Sequence, residues 1–133
     1  MRKARLLKTQ YAVIAARREV RLACGAAAAV MTASLFVSAP ATGGILNSPW
    51  DLVAHAVFYG TLAALLACAA GRSKLLAAWL LTCAIGLADE AYQWMLPTRH
   101  ADAMDFMVDV MSAALVITAA RWIRLPGSGG SVH

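Results

Sequence analysis

The sequence predicts an all-α membrane protein, a bundle of four transmembrane helices with short antiparallel connections. Three observations predict it. The 133 residues are 61% hydrophobic and 14% charged, with a mean hydropathy of +0.64, whereas a soluble domain averages about 45–50% apolar and about 25% charged. The apolar residues fall into four blocks close to the roughly 20 residues a helix needs to cross the hydrocarbon core. The blocks are rich in Ala and Leu, and no period-two alternation signals a strand. The length predicts one domain.

Residues 1–21, MRKARLLKTQYAVIAARREVR, carry seven Arg or Lys and one Glu. They read as a basic cytoplasmic or interfacial segment. Its charge serves as a topology signal, and Leu6, Leu7, Tyr11, Val13, Ile14 and Val20 offer an apolar face to the inner leaflet. Residues 22–39 carry no charge and make the first span. A cleaved signal peptide ending at Ala39-Pro40-Ala41 is the competing reading. The long basic segment and the Pro beside the scissile bond favour a retained helix. Residues 40–49, PATGGILNSP, read as a turn-rich loop. Residues 52–70 are apolar except for His55, Tyr59 and Thr61, and GRSK at 71–74 is a basic turn. A third helix runs from 75 to about Leu96, and PTRH at 97–100 is the next turn. Residues 103–120 are apolar apart from Asp105, Asp109 and small hydroxyls. Residues 22–123 thus form the membrane domain, and the Gly/Ser-rich 124–133 a flexible tail.

The basic residues set the expected orientation. A cytoplasmic N-terminus places eleven on the inside, namely the seven of 1–21 with Arg72, Lys74, Arg121 and Arg124, and leaves Arg99 alone outside. Both termini are then cytoplasmic, in an inner, bacterial-type membrane. Because the basic residues follow membrane topology, they do not indicate nucleic-acid binding. Cys24, Cys68 and Cys83 form no CxxC pair and each lies in an apolar block, so they read as small buried hydrophobes.

Residues 86–109 hold five of the seven acids within this apolar chain. Asp51, His55 and Tyr59 are spaced i, i+4, i+8 and share one face of the second helix. Tyr59 lies about 12 Å below Asp51. Gly86, Glu90 and Gln93 share a face of the third helix, with Thr82 one turn deeper. Asp89 is turned about 100° from Glu90 and reads as an interface residue. In the fourth helix Asp102, Asp105, Asp109 and Ser112 form one stripe, with Asp109 about 10 Å inward from Asp102. Asp51 and Asp102 also suit helix starts.

Each charge facing lipid costs about 2.5–3.5 kcal/mol at mid-membrane on insertion scales. The three faces are therefore expected to turn toward one another as an outward-opening polar pocket. Its members are Asp51, His55, Tyr59, Glu90, Gln93, Arg99, Asp105 and Asp109, with Asp102, Ser112 and Thr82 at its margin. Arg99 can hold a carboxylate bidentately, but it cannot neutralise six acids. Either some carry a proton, or a cationic partner or divalent metal ion completes the site, with His55, Glu90, Asp105 and Asp109 as candidate ligands.

The same residues carry a family resemblance over about 50–120. DLVAHAVFY resembles the D-x-x-x-H-x-x-x-Y signature of VanZ-like membrane proteins. EAYQWMLPTRHADAMDFMVD resembles their E-x-x-Q, P-x-R and two polar positions on the last helix. Leu52 stands where the family often has Lys, Asp102 where a small hydroxyl is usual, Asp109 where Asn is usual and Ser112 where Gly is usual. These differences make this pocket more acidic. The family is named for an accessory protein of teicoplanin resistance, so the resemblance implies a small multi-helix envelope protein. Two functions are expected from the pocket. One is binding, with membrane lipids around the bundle and a lipid-linked envelope precursor or a lipoglycopeptide as ligand. The other is an enzyme acting on a lipid-linked phosphate or sugar, with metal assistance and Arg99 on the phosphate. No HExxH, GxSxG or Walker-type motif points to a known catalytic apparatus.

Overall fold

Apolar blocks too long to be buried in a domain of this size become four helices. The computed structural model describes residues 2–42, 49–97 and 101–123, with side chains from residue 9 to 41 in the first segment. The helices are α1 (Arg2–Thr42), α2 (Trp50–Ala70), α3 (Leu75–Trp94) and α4 (Ala103–Trp122), with a 3₁₀ turn at Arg72–Lys74 between α2 and α3. All four are long and apolar enough to cross a membrane, and the chain is a multi-pass membrane protein. Their outward faces are what a bilayer solvates: Val30, Val37, Val57, Leu76, Met111 and Leu115 are all exposed.

α2 is the centre of the bundle. It packs on α1, α3 and α4, while α1 meets α3 only slightly. The most extensive contact joins α2 to α4, two helices that are parallel because α3 runs back between them. Short connections alone single out the antiparallel neighbours. Those neighbours do pack, and side-chain size adds the α2–α4 seam. Gly60, Ala63 and Ala67 of α2 and Ala113 of α4 are buried, and a Cβ at Gly60 would lie 3.6 Å from Val116. Small residues let helix backbones approach, which is the main source of packing energy where lipid tails are as apolar as side chains.

Residues 1–21 and 22–39 are not separated by a break. α1 is one helix of 41 residues, about 60 Å long, against roughly 40–45 Å for a bilayer with its headgroups. Its basic end therefore extends past the hydrocarbon. Pro40 lies inside α1, so the helix enters what reads as a loop. Two residues before the helix end at Thr42, proline removes a single backbone hydrogen bond. α1 packs antiparallel on α2 through Ala28, Tyr59 and Leu62, with Met31, Leu35 and Phe58 around them.

Two arginines finish the helices at the basic end. Arg21 donates from Nε to the Ala69 carbonyl at 2.8 Å and from Nη2 to Ala70 at 2.9 Å. Arg72 donates to the carbonyls of Ile123 at 3.0 Å and Arg121 at 2.6 Å. They satisfy the terminal carbonyls of α2 and α4 and complement the negative ends of those helices. Gly71 follows α2 at φ 80° and ψ 167°, a region open essentially only to glycine.

The cysteines are not isolated from each other. Cys24 donates to Cys68 at an Sγ···Sγ distance of 2.7 Å, across the α1–α2 contact. Mild oxidation of the full chain with diamide is expected to join this pair and leave Cys83 as the only thiol open to alkylation under denaturing conditions. Mass spectrometry counts the alkylated thiols. Three alkylated cysteines after oxidation would place α1 elsewhere.

Candidate functional site

At the end of the bundle opposite the arginine caps, α2, α3 and α4 turn polar residues inward. α2 supplies His55 and Tyr59 one turn apart. The buried stripe of α3 is Ala78, Thr82, Gly86, Asp89, Glu90 and Gln93, and that of α4 is Asp105, Asp109 and Ala113. The i, i+3, i+4 periodicity of each stripe fixes which side chains meet.

His55 is the meeting point. Its Nδ1 donates to Asp109 Oδ1 at 3.0 Å, and its Nε2 lies 3.8 Å from Asp105 Oδ2. Asp109 accepts through one oxygen, which holds the imidazole orientation and leaves Nε2 as the ring atom for a second partner. Tyr59 stacks on His55, with ring centroids 5.9 Å apart, and donates to Asp89 Oδ2 at 3.1 Å. Gln93 Nε2 donates to the same oxygen at 3.0 Å. Asp89, the residue the pattern assigns only to an interface, is completely buried and accepts from two members of the cluster. The i, i+4 spacing of Asp89 and Gln93 was the signal for it. Glu90, on the neighbouring position, accepts the Asp102 backbone N–H through Oε2 at 2.9 Å. It thereby ties the end of α3 to the start of α4.

The other expected members divide. Asp51 is half-buried at the start of α2 and near both His55 and Asp105. Asp102 is the N-cap of α4 and accepts from the Met104 N–H at 2.8 Å. Thr82 donates to Ala78 in its own helix, and Ser112 to Asp109's carbonyl in its own. Neither hydroxyl reaches His55. Arg99 lies outside the described residues, as does His100. Trp50, Trp94 and Trp122 stand largely exposed at helix ends. Trp79 is half-buried and donates to the Val110 carbonyl at 3.4 Å.

The cluster holds carboxyl oxygens that no donor meets. Among the described residues, Asp89 Oδ1, Glu90 Oε1 and Asp109 Oδ2 are buried without a hydrogen-bond partner. A buried carboxylate oxygen without a donor is costly. Two ligand sets also converge. Asp51, His55 and Asp105 form one, and His55, Glu90 and Asp109 the other, each with its ligand atoms within 4.8 Å of one another. Oxygen and imidazole donors at such separations suit a small divalent ion. The donorless oxygens of Glu90 and Asp109 are consistent with that fit.

Four apolar helices with an Asp/Glu/His cluster buried between three of them define a multi-pass membrane protein with a polar cluster inside its bundle. The model of the VanZ/LLP1 family matches residues 11–124, and the chain belongs to that family. No curated protein and no solved structure matches it significantly.

Close packing at the cluster makes Gly86 a sensitive position. A Cβ there would lie 3.2 Å from Asp109 Oδ2 and 3.4 Å from Tyr59 Cε1. Asp109 is held by His55, so it has little room to yield. Gly86→Ala should lower stability by about 1–3 kcal/mol, the cost of overpacking. Gly60→Ala meets only an ordinary contact and should be neutral or stabilising, since Ala is favoured over Gly in a helix by about 1 kcal/mol. Thermal unfolding of both variants in detergent gives the comparison. Equal behaviour would mean that the α3–α4 approach is looser than described.

Proposed function

We propose that this chain is an accessory protein of the cell envelope that holds a cationic group of its ligand in the acidic cluster. Buried carboxylate oxygens of Asp89, Glu90 and Asp109 without donors among the described residues carry this reading. Six acids gather at this end, and the sequence sets only His55, Arg99 and His100 near them in the chain. A ligand amine supplies the missing charge and the missing donors together. The lipid-facing surface of the bundle then accommodates an apolar tail, as an amine-bearing lipid-linked precursor or lipoglycopeptide has.

A second reading has its own observation. His55 can use Nε2 toward an ion held with Asp51 and Asp105, while Nδ1–H stays on Asp109. Metal-bound histidines commonly have such an outer carboxylate partner. A divalent ion there would supply a Lewis acid, and Glu90 stands near as a proton acceptor for hydrolysis of a lipid-linked phosphate.

Glu90→Gln and Asp105→Asn separate the two. On the binding reading, Glu90→Gln weakens an amine-bearing lipoglycopeptide by about 30-fold, the lower end of the ~2–5 kcal/mol lost when one partner of a buried charge pair is truncated. Binding persists, and its salt dependence falls. Metal-dependent hydrolysis of a lipid-linked phosphate, lost in both variants together with bound metal, would replace this reading with the enzymatic one.

The orientation proposed with it puts the basic end in the cytoplasm and the acidic cluster outside, since eleven of twelve Arg and Lys then lie inside. Reporter fusions at residues 44, 72, 98 and 128 should read out, in, out, in. A periplasmic signal at 72 would reverse the site's exposure.

A further inference from the structure

A groove of about 690 Å³ lies between α1 and the end of α2, at the basic end of the bundle and away from the acidic cluster. Its walls include Ile14, Arg17, Arg18, Arg21 and Gly25 of α1 and Ala69 of α2. The α1 residues recur at three- and four-residue intervals and so form one stripe. The volume lies within the roughly 300–1,000 Å³ of small-ligand sites.

The groove is amphiphilic, and the arginine caps mark its level along the bundle. Arg21 sits on the last carbonyls of α2, and Arg72 on those of α4. That plane is where α2 and α4 end, the level at which apolar spans of this length meet the headgroups. Below it, Gly25 packs against α2, so that a Cβ there would be 3.7 Å from Ala69 Cβ. Leu22 and Ala26 continue the apolar wall of the groove, and Val30 further along α1 is exposed. Above it, Arg17 and Arg18 are exposed and pair with no acid among the described residues. Arg21 spends part of its fork on carbonyls, and its charge remains. Three arginines therefore line one groove beside an apolar wall, and none of them pairs with an acid among the described residues.

We propose that this groove seats the phosphate headgroup of an anionic phospholipid, with Arg17 and Arg18 on the phosphate and the acyl chains running down the α1–α2 surface. A basic recess between transmembrane helices at the headgroup level is the expected form of such a site. Guanidinium forks suit phosphate oxygens. The apolar walls distinguish the lipid from free phosphate, which would gain nothing from Ile14 or Ala69. The inference does not depend on the role of the acidic cluster.

The test is native mass spectrometry of the detergent-purified full chain. It is titrated with phosphatidylglycerol, with phosphatidylcholine of the same acyl chains, and with inorganic phosphate. Phosphatidylglycerol should bind in preference to both. The double variant Arg17→Gln/Arg18→Gln should bind it about 30-fold more weakly, at the scale of one screened contact per basic residue. Arg17→Lys/Arg18→Lys should retain most of the binding. Lys74→Gln removes an exposed charge at the same end outside the groove and should leave binding unchanged. Three outcomes would overturn the proposal: equal retention of the two lipids, an equal loss in Lys74→Gln, or free phosphate competing at the affinity of the lipid.

Discussion

The structure depends on one constraint: a carboxylate inside an apolar bundle must find a donor or a counter-charge. α2 meets it for the other two helices. Asp109 of α4 takes its hydrogen bond from His55, and Asp89 of α3 from Tyr59. Donors one turn apart on a single helix thus hold acids from two neighbours. This explains why α2 is central and why it packs so closely on a parallel partner rather than only on its sequence neighbours. The small residues below the cluster, Gly60, Ala63 and Ala113, allow that approach. The polar contacts set its register. Polar contacts of this kind contribute only about 0.6 kcal/mol each on average in membranes. Their larger effect is to make every other rotation of the helices costly.

The charges also divide along the bundle. Acids collect where α2 and α4 begin and α3 ends, while cations collect where α2 and α4 end. Helix polarity favours this arrangement for α2 and α4, since helix N-termini stabilise anions and C-termini cations, and opposes it for α1, which begins with basic residues, and for α3, which ends among acids. Asp102 at the start of α4 and Arg72 at its end are the two halves of that pattern. The connection between α3 and α4 is drawn in as well, because Glu90 accepts the Asp102 N–H. Glu90 thus has one oxygen committed to architecture and one without a partner among the described residues.

Much of this was legible in the sequence, and the illegible parts have physical reasons. The four spans followed from block length and composition. His55, Tyr59 and Asp109 could be placed on inward faces because charge facing lipid is penalised. The partner of Tyr59 could not. Helical rotation alone ranks Glu90 above Asp89, and only the depth at which α2 crosses α3 brings Asp89 to the hydroxyl. The α2–α4 pairing was hidden for a related reason, since connection length reports adjacency in sequence and not the small-residue seam. The arginines were legible as topology signals. Their carbonyl contacts were not, because they depend on where each helix ends in space. The contact of Cys24 with Cys68 needs the α1–α2 register, which no spacing encodes.

α1 stands apart from the acidic cluster. It supplies no ionisable side chain to the network among the described residues, and it reaches the bundle through Arg21, the Cys24–Cys68 contact, the packing of Ala28 on Leu62 and Tyr59, and the contact of Phe36 with Tyr92 of α3. Tyr59 belongs to both systems. Its ring packs in the α1–α2 core, while its hydroxyl holds Asp89. A shift of α1 against α2 therefore acts on the ring of Tyr59, then on its hydrogen bond to Asp89 and its stacking on His55. Among the described residues the lipid-exposed first helix thus meets the acid-bearing helices in two aromatic contacts, Tyr59 on the helix all the others share and the edge-to-face pair of Phe36 with Tyr92 of α3 at 5.6 Å. Of the two, only Tyr59 also hydrogen-bonds an acid of the cluster.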